Sequence, residues 1–229
     1  MIVVGHRGCA LLEPENTLRG FRRTLALGCD YVETDVRLTR DGELILMHDE
    51  TVDRTTDGSG RVADLTFAEI RRLDAGQGET VPTLAELLAL LAGRVTLLCE
   101  LKGEGTADAA VAVVKAAGME RHVIFTCFDL ARIRRVKEID ASLRTGAIFS
   151  NPPPDFAQQA RDAGAESCGI HFRHLTPEHL AAARAAGLTV RAWNPDTEED
   201  IRRTLALGPD GIGSNRPDLV LRLLGRLRE

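Results

Sequence analysis

The sequence is poor in several features that mark particular classes of protein. Its 229 residues include 7 Phe, 1 Tyr and 1 Trp, so aromatic side chains make up only 4% of the chain. Its longest clean apolar run, residues 87–92, is far shorter than the roughly 20 residues of a membrane-spanning helix. The formal charge of −5 and the pI of about 5.7 disfavour a basic nucleic-acid-binding domain. We therefore expect neither membrane insertion nor a nucleic-acid partner.

The sequence also lacks paired cysteines and a dinucleotide fingerprint, and no export signal is predicted. Its 5 cysteines are odd in number and form no C-x-x-C pair, which is typical of reduced thiols. No G-x-G-x-x-G motif follows the first apolar segment. No basic segment precedes that apolar segment, so no export signal is predicted. These absences predict a cytoplasmic protein, and the ordinary apolar content of 44% excludes wholesale disorder.

Eight short β-type segments recur along the chain, separated by Ala/Leu/Arg-rich stretches of helical period. They are residues 2–5, 30–35, 95–101, 122–127, 143–149, 167–171, 188–193 and 210–213. Residues 22–30 recur with one change as residues 202–210, and each copy reads as a helix end, a glycine cap and the start of a strand. The pattern predicts a single α/β domain over residues 1–229, folded as a TIM (β/α)₈ barrel. A doubly wound open sheet is the alternative.

A short hairpin arm is predicted after the second strand. The interval from Asp35 to Glu43 is too short for a parallel crossover, and Asp41-Gly42 is a hairpin turn signal. With the turn centred on these two residues, opposed positions sum to 83, so Asp35 faces His48. A slip of one residue would turn one of these side chains away.

Acidic residues collect where the predicted strands end, at the rim that carries the chemistry of (β/α)₈ barrels. Glu33 and Asp35 are two residues apart and so point to one face of their strand, and Glu100 ends the strand that starts at residue 95. Singly, such acids are more often helix caps or surface ion pairs. Three together repel one another unless a hard cation binds them, and oxygen ligands favour Mg²⁺ or Ca²⁺ over Zn²⁺.

Two histidines and two cationic side chains are predicted at the same rim. His6 and Arg7 end the first strand, His48 lies on the hairpin, and Lys102 is one of only three lysines. Imidazoles suit acid–base work near neutral pH, and Arg and Lys suit a phosphate. Together with a divalent cation, these groups describe a phosphodiester hydrolase.

Aromatic side chains also end two of the predicted strands. Trp193 ends one, and Phe128 follows Cys127, which ends another. A wall against the substrate and plain packing are equally compatible with this placement.

The order of these motifs resembles the glycerophosphodiester phosphodiesterase family, in particular its small cytoplasmic bacterial members. The similarity runs from about residue 5 to residue 217 and is most specific in the first sixty residues. The motifs are His6-Arg7-Gly8, Pro14-Glu15-Asn16-Thr17, Glu33-x-Asp35-Val36, Met47-His48-Asp49, Asp53-Arg54-Thr55-Thr56-Asp57-Gly58, Val81-Pro82-Thr83-Leu84, Glu100-x-Lys102, Phe128-Asp129, Trp193 and Asp210-Gly211-Ile212.

The resemblance implies a TIM barrel that hydrolyses glycerophosphodiesters to sn-glycerol 3-phosphate and an alcohol with one divalent cation, Mg²⁺ or Ca²⁺. It implies that Glu33, Asp35 and Glu100 bind the metal and that His6 and His48 form the catalytic pair, with His6 expected as the base. By the same resemblance, Arg7 and Lys102 would hold the phosphate, and Glu15, Phe128 and Trp193 are predicted as further substrate-binding residues. Glu15 would assist the metal site or orient the glycerol hydroxyls.

Three departures from the family pattern fall on the expected pocket wall. The family usually reads W-T-V-N where this chain has Trp193-Asn194-Pro195-Asp196, and an I-T-D-like tail where Gly213-Ser214-Asn215 stands. It usually has serine in place of Cys127. These changes leave the identity of the alcohol open.

Other functions remain open from the sequence. They are a lysophospholipase D-like or phosphoinositide-type phosphodiesterase, a catalytically silent phosphodiester-binding protein, and a barrel enzyme that uses Lys102 as a Schiff base. The nucleophile, either water or the neighbouring glycerol hydroxyl, and the oligomeric state are also open.

Overall fold

Strands and helices alternate along residues 1–227, the part of the chain that the computed structural model describes. The strands are β1 (Ile2–Gly5), β2 (Tyr31–Leu38), β3 (Leu44–Leu46), β4 (Thr96–Leu101), β5 (Val123–Cys127), β6 (Arg144–Phe149), β7 (Ser167–His171), β8 (Thr189–Trp193) and β9 (Gly211–Ser214). The helices are α1 (Leu18–Leu27), α2 (Phe67–Ile70), α3 (Leu84–Leu91), α4 (Thr106–Ala116), α5 (Leu130–Ile139), α6 (Phe156–Asp162), α7 (Pro177–Ala185), α8 (Glu198–Leu207) and α9 (Pro217–Leu223).

Eight parallel strands close into a barrel, which confirms the predicted TIM fold. The order is β1-β9-β8-β7-β6-β5-β4-β2, and pairing of β1 with β2 closes the ring. Strand β3 pairs with β2 in the antiparallel direction, which confirms the predicted hairpin arm. The single domain over residues 1–229 stays a prediction, and residues 228 and 229 lie outside the described part.

The recurring segment performs the same structural task in both copies. Helices α1 and α8 each end at a glycine in the left-handed conformation, Gly28 at φ 81° and Gly208 at φ 74°. The aspartate two residues later then accepts a hydrogen bond from a neighbouring strand: Asp30 Oδ2 from the backbone N–H of Val3 at 2.8 Å, and Asp210 Oδ2 from that of Val190 at 2.7 Å. Each repeat therefore fixes where a strand starts relative to its neighbour.

The main apolar core lies between the barrel and its surrounding helices, where Phe21, Phe125 and Phe156 are buried. A smaller cluster of Val4, Leu98 and Ile124 fills the barrel interior. On their inner side the polar groups at the rim therefore have apolar side chains beside the buried Arg191, and exclusion of water strengthens electrostatic interactions there. No helix among residues 1–227 is long and apolar enough to cross a bilayer.

The predicted register of the hairpin is wrong by one residue. Val36 pairs with Leu46, so opposed positions sum to 82, and Met47 rather than His48 comes opposite Asp35, to whose carbonyl oxygen it donates at 3.0 Å. His48 nevertheless reaches the rim, because β3 ends at Leu46 and the chain no longer follows strand alternation beyond it.

The turn itself explains the difference in register. The loop spans residues 39–43, closed by a hydrogen bond from Thr39 N to Glu43 O at 3.0 Å. Within it Thr39 Oγ1 contacts Asp41 Oδ1 at 2.6 Å, and Gly42 takes φ 85°. The Asp-Gly pair lies in the turn, as predicted, but the loop has five residues and is centred on Asp41.

We expect Gly8→Ala to destabilise the fold more than Gly42→Ala. Both glycines have φ near +85°, which costs about 1–2 kcal/mol for a residue with a side chain. A Cβ at Gly8 would also lie 2.9 Å from the backbone carbon of Gly20 in α1, whereas one at Gly42 meets nothing within 4 Å. Equilibrium unfolding in urea measures both losses, and equal losses would contradict the close packing of the loop after β1 on α1.

Candidate active site

Three carboxylates meet at the barrel rim on two adjacent strands, and β2 continues past this rim to Leu38, where it pairs with β3. Glu33 and Asp35 lie on β2 and Glu100 on β4, where the parallel register pairs Asp35 with Glu100. One oxygen of each carboxylate lies within 4.8 Å of the others. All three side chains are buried, and Asp35 is fully so. The structure thus brings together the three residues predicted as metal ligands.

Burial and mutual repulsion shape the ionisation of this acidic cluster. Burial, with the charges of Asp35 and Glu100, raises the pKa of Glu33 well above its ordinary value. Burial and the Asp35 charge raise the pKa of Glu100 to about 7, although the Lys102 ammonium at 2.5 Å acts in the opposite direction. For Asp35 burial also acts upward, but Lys102 and Arg7 outweigh it and lower the pKa.

Two cations and an amide hold Asp35 in place. Arg7 Nε lies 3.3 Å from Asp35 Oδ2, and Lys102 Nζ lies 3.4 Å from Asp35 Oδ1. Asn16 Nδ2 donates to Asp35 Oδ2 at 3.1 Å, which fixes the loop after β1 on β2. Burial acts to lower the pKa of Lys102, but the nearby carboxylates outweigh it and raise that pKa. A lysine held as an ammonium ion is a poor Schiff-base nucleophile, so the geometry disfavours that alternative.

His6 lies beside the acidic cluster at the end of β1. Its Nε2 is 3.7 Å from Glu33 Oε2, and its Nδ1 is 2.7 Å from Asn215 Oδ1. Burial and the charge of Arg7 lower the pKa of His6 to about 4. The imidazole is therefore neutral at physiological pH and has a nitrogen available as a proton acceptor.

His48 is more exposed and has a carboxylate behind it. Its Nδ1 lies 2.6 Å from Asp49 Oδ1, and Arg54 Nε donates to Asp49 Oδ2 at 2.6 Å. Burial and the nearby cations lower the pKa of His48, while Asp35 and Asp49 act upward. The two predicted catalytic histidines thus stand on the same rim in different electrostatic settings.

Glu15 lies close to the cluster but is engaged by arginines. Its Oε1 accepts from Arg7 Nη1 at 3.0 Å, and Arg54 donates to both of its oxygens at 2.8 Å. These bonds outweigh burial and lower the pKa of Glu15. It therefore joins Arg7 to the group that holds His48, and it does not line the cavity beside the cluster.

A cavity of about 220 Å³ unites most of the predicted site residues. Phe128 and Trp193 form one side of it with their rings edge to face, 5.7 Å apart. Lys102 Nζ lies 5.6 Å from the Phe128 ring centre, within cation–π range. The residues that line the cavity include His6, Arg7, Glu33, His48, Glu100, Lys102, Phe128, Trp193, Arg191 and Asn194.

Sequence reasoning missed three polar groups that contribute to this site. Arg191, on β8, is buried and donates to Ser167 Oγ at 3.2 Å. Asn194 Nδ2 lies 3.3 Å from His6 Nε2, and Asn215 contacts the other nitrogen of the same ring. The two asparagines lie in segments that depart from the family pattern, which was the one signal available. Their contact with His6 depends on closure of the barrel.

Imidazoles and carboxylates beside cations that suit a phosphate, at the C-terminal rim of a (β/α)₈ barrel, are the arrangement expected of a TIM-barrel hydrolase of phosphate esters. Comparison with known proteins narrows that class. The chain belongs to the glycerophosphoryl diester phosphodiesterase family, whose sequence model matches residues 6–219. It is therefore a phosphoric diester hydrolase of the glycerophosphodiester phosphodiesterase type, as the resemblance predicted.

Individual relatives agree with this assignment. A glycerophosphodiester phosphodiesterase from Caldanaerobacter subterraneus is 34% identical, with 97% of each chain covered. The crystal structure of a glycerophosphodiester phosphodiesterase from Agrobacterium tumefaciens superposes with a TM-score of 0.84 at 32% identity, covering 96% of this chain and 99% of that one. A phosphodiesterase from Oleispira antarctica, solved with the product sn-glycerol-3-phosphate, gives a TM-score of 0.90 at 27% identity, covering 98% and 97%.

The metal-free protein should lose stability as the pH rises through the folded pKa of Glu100. That pKa lies near 7 against an ordinary value of 4.5, so protonated Glu100 favours the folded state below about pH 4.5, and this contribution is lost as the pH rises through 7. In EDTA the free energy of unfolding of the wild type should therefore fall, between about pH 5 and pH 8, relative to that of Glu100→Gln.

His6 changes the stability in the opposite direction as the pH rises, because its pKa is lowered. It does so in both proteins, so the comparison with Glu100→Gln removes its contribution. Mg²⁺ or Ca²⁺ added at the alkaline end should raise the Tm of the wild type more than that of the variant. Parallel pH profiles would show that the carboxylates do not repel one another. Equal gains in Tm would show that the acidic cluster does not bind the ion.

Proposed function

We propose that the chain hydrolyses glycerophosphodiesters to sn-glycerol 3-phosphate and a free alcohol, with one divalent cation and a two-histidine acid–base mechanism. The observation that carries this proposal is the shared cavity: His6 and His48 line the same 220 Å³ space as Glu33 and Glu100. The product solved with the Oleispira antarctica phosphodiesterase supports the same reaction.

The residues of the acidic cluster fit a hard cation. Glu33 Oε1 is buried and has no hydrogen-bond partner among the described residues. Glu33, Asp35 and Glu100 offer only oxygen ligands, which favours Mg²⁺ or Ca²⁺. A bound cation would supply Lewis-acid stabilisation of negative charge on the phosphoryl oxygens.

In the proposed mechanism the two histidines carry the protons. His6 accepts one at Nε2 from the nucleophile, either water or the neighbouring glycerol hydroxyl. His48, with its Nδ1 on Asp49, donates one to the oxygen of the departing alcohol as the phosphorus–oxygen bond breaks. If the glycerol hydroxyl attacks, a cyclic phosphate forms, and water opens it in a second step with the histidine roles reversed.

The remaining predicted residues bind and orient the substrate in this proposal. Arg7 and Lys102 hold the phosphate, since both cations stand beside the acidic cluster. Phe128 and Trp193 form the apolar wall of the cavity. Glu15 orients Arg7 through their 3.0 Å contact rather than touching the substrate. The cytoplasmic location and the absence of a nucleic-acid partner stay predictions.

Release of glycerol 3-phosphate from glycerophosphocholine, measured with Mg²⁺, with Ca²⁺ and with EDTA, tests the reaction and its cofactor. We expect release with at least one of the ions and none with EDTA, because the acidic cluster lacks a neutralising charge without metal. Undiminished release in EDTA would contradict the proposed metal dependence of the reaction. No release from any glycerophosphodiester, with lysophospholipid hydrolysis instead, would favour the lysophospholipase D-like alternative.

We expect His6→Ala and His48→Ala each to lower kcat by roughly 10²–10⁴-fold, because each removes a proton-transfer group. His122→Ala is the matched control, since His122 immediately precedes β5 at the opposite end of the barrel. Steady-state kinetics on the same diester measures all three variants. Near-normal turnover in His48→Ala would disprove the pairing, and binding without turnover in the wild type would favour a silent phosphodiester-binding protein.

A further inference from the structure

A chain of hydrogen bonds stands behind His6, on the side away from the cavity. His6 Nδ1 is 2.7 Å from Asn215 Oδ1, and Asn215 Nδ2 is 2.7 Å from Asp196 Oδ2. The other oxygen of Asp196 accepts from the backbone N–H of Asn215 at 2.8 Å and lies 2.9 Å from Ser214 Oγ. The side chain of Asn215 is thus tied to a carboxylate that its own backbone also binds.

The chemistry of these groups fixes the direction of the two bonds that join Asp196, Asn215 and His6. A carboxylate only accepts hydrogen bonds, so the amide nitrogen of Asn215 must face Asp196 and its oxygen must face His6. The Nδ1 atom of His6 then carries the hydrogen, and Nε2 is left with its lone pair. Asn194 Nδ2 lies 3.3 Å from Nε2 and can donate to this lone pair.

We propose that Asn215, held by Asp196, is the positioning residue that sets His6 in the Nδ1–H tautomer with Nε2 as proton acceptor. This inference rests on the proposed function, in which His6 is the base. Rotation of the amide by half a turn would place Nδ2 against the Nδ1–H group, so that two donors face each other. It would also place Oδ1 against the carboxylate, so that two acceptors face each other. Asp196 therefore acts on His6 through Asn215, without touching the ring.

The partner of the other histidine differs in charge. His48 Nδ1 faces the carboxylate of Asp49 at 2.6 Å, whereas His6 Nδ1 faces the neutral amide of Asn215. A carboxylate stabilises an imidazolium more than an amide does. His48 is therefore better suited to hold the proton that is donated, and His6 to remain an unprotonated acceptor until the nucleophile approaches.

Four variants test the pair through steady-state kinetics. We expect Asn215→Leu to lower kcat by about 10- to 100-fold, as loss of an outer orienting group does, with little change in KM. Asp196→Asn should have a similar effect, because it opposes two amide groups and releases Asn215 to rotate. Asn215→Asp should also lose activity, because it opposes two carboxylates.

The double variant Asp196→Asn/Asn215→Asp should recover much of the lost kcat. It exchanges the two side chains at constant total charge and restores a donor opposite every acceptor: the carboxylate then accepts from His6 Nδ1, and the amide at the other position donates to it. Recovery above the product of the two single effects is the coupling expected of a contacting pair. Asn151→Leu, at an exposed loop position, is the control.

The tautomer itself can be measured without turnover. In protein labelled with ¹⁵N-histidine, at a pH where His6 is neutral, imidazole nitrogen resonances should show Nδ1 protonated and Nε2 unprotonated, with His6→Ala assigning the signals. Asn215→Leu should shift His6 toward the other tautomer. An Nε2–H tautomer in the wild type, or unchanged tautomer and kcat in Asn215→Leu, would overturn the inference.

Failure of the proposed function gives a different pattern from failure of the inference. A wild type that releases no glycerol 3-phosphate refutes the function, while the resonances of His6 still decide the tautomer. An active wild type with the wrong tautomer refutes only the role of Asn215. If Asn215→Leu does not fold, the wild-type spectrum and the exchanged double variant still decide the outcome.

Discussion

The repulsion among three buried carboxylates is the constraint on which the rest of the site depends. Glu33, Asp35 and Glu100 place an oxygen each within 4.8 Å of one another, in surroundings where charge is costly. The fold brings Arg7 and Lys102 against Asp35, and these two cations lower its pKa. Two cations do not balance three acids, and the excess appears as raised pKa values at Glu33 and Glu100. A bound divalent cation would neutralise the negative charge that Arg7 and Lys102 leave uncompensated.

The cations that offset this repulsion also connect it to the second histidine. Arg7 shares Glu15 with Arg54, and Arg54 in turn holds Asp49, which contacts His48. Each carboxylate in this series is used by two partners, so displacement of one side chain leaves a charge unpaired next to it. The loops after β1 and β3 are thereby coupled, although they share no strand pairing.

The sequence was sufficient to predict the barrel and the acidic cluster, because both follow from regular periods. Residues two apart on a strand share a face, and parallel strands end at one rim, which places Glu33, Asp35 and Glu100 together without knowledge of any contact. The hairpin shows the limit of such reasoning. Asp41-Gly42 identified the turn, but the loop length depends on contacts of Thr39 that a dipeptide signal does not encode. His48 lies beyond the end of β3, so its position was not decided by that register.

The surroundings of His6 could not be predicted, because they come from residues 188 and 209 positions away that meet it only when β9 pairs with β1. Two departures from the family pattern, Asp196 and Asn215, each looked like a change in the pocket wall. They differ in opposite ways from the pattern that the resemblance implies: Asp196 stands where the family usually has an amide, and Asn215 stands where it usually has a carboxylate. Since the two side chains contact each other at 2.7 Å, the exchange conserves the charge of the pair and moves it one residue farther from the imidazole. Two substitutions that look unrelated along the chain thus act as one change in what His6 faces.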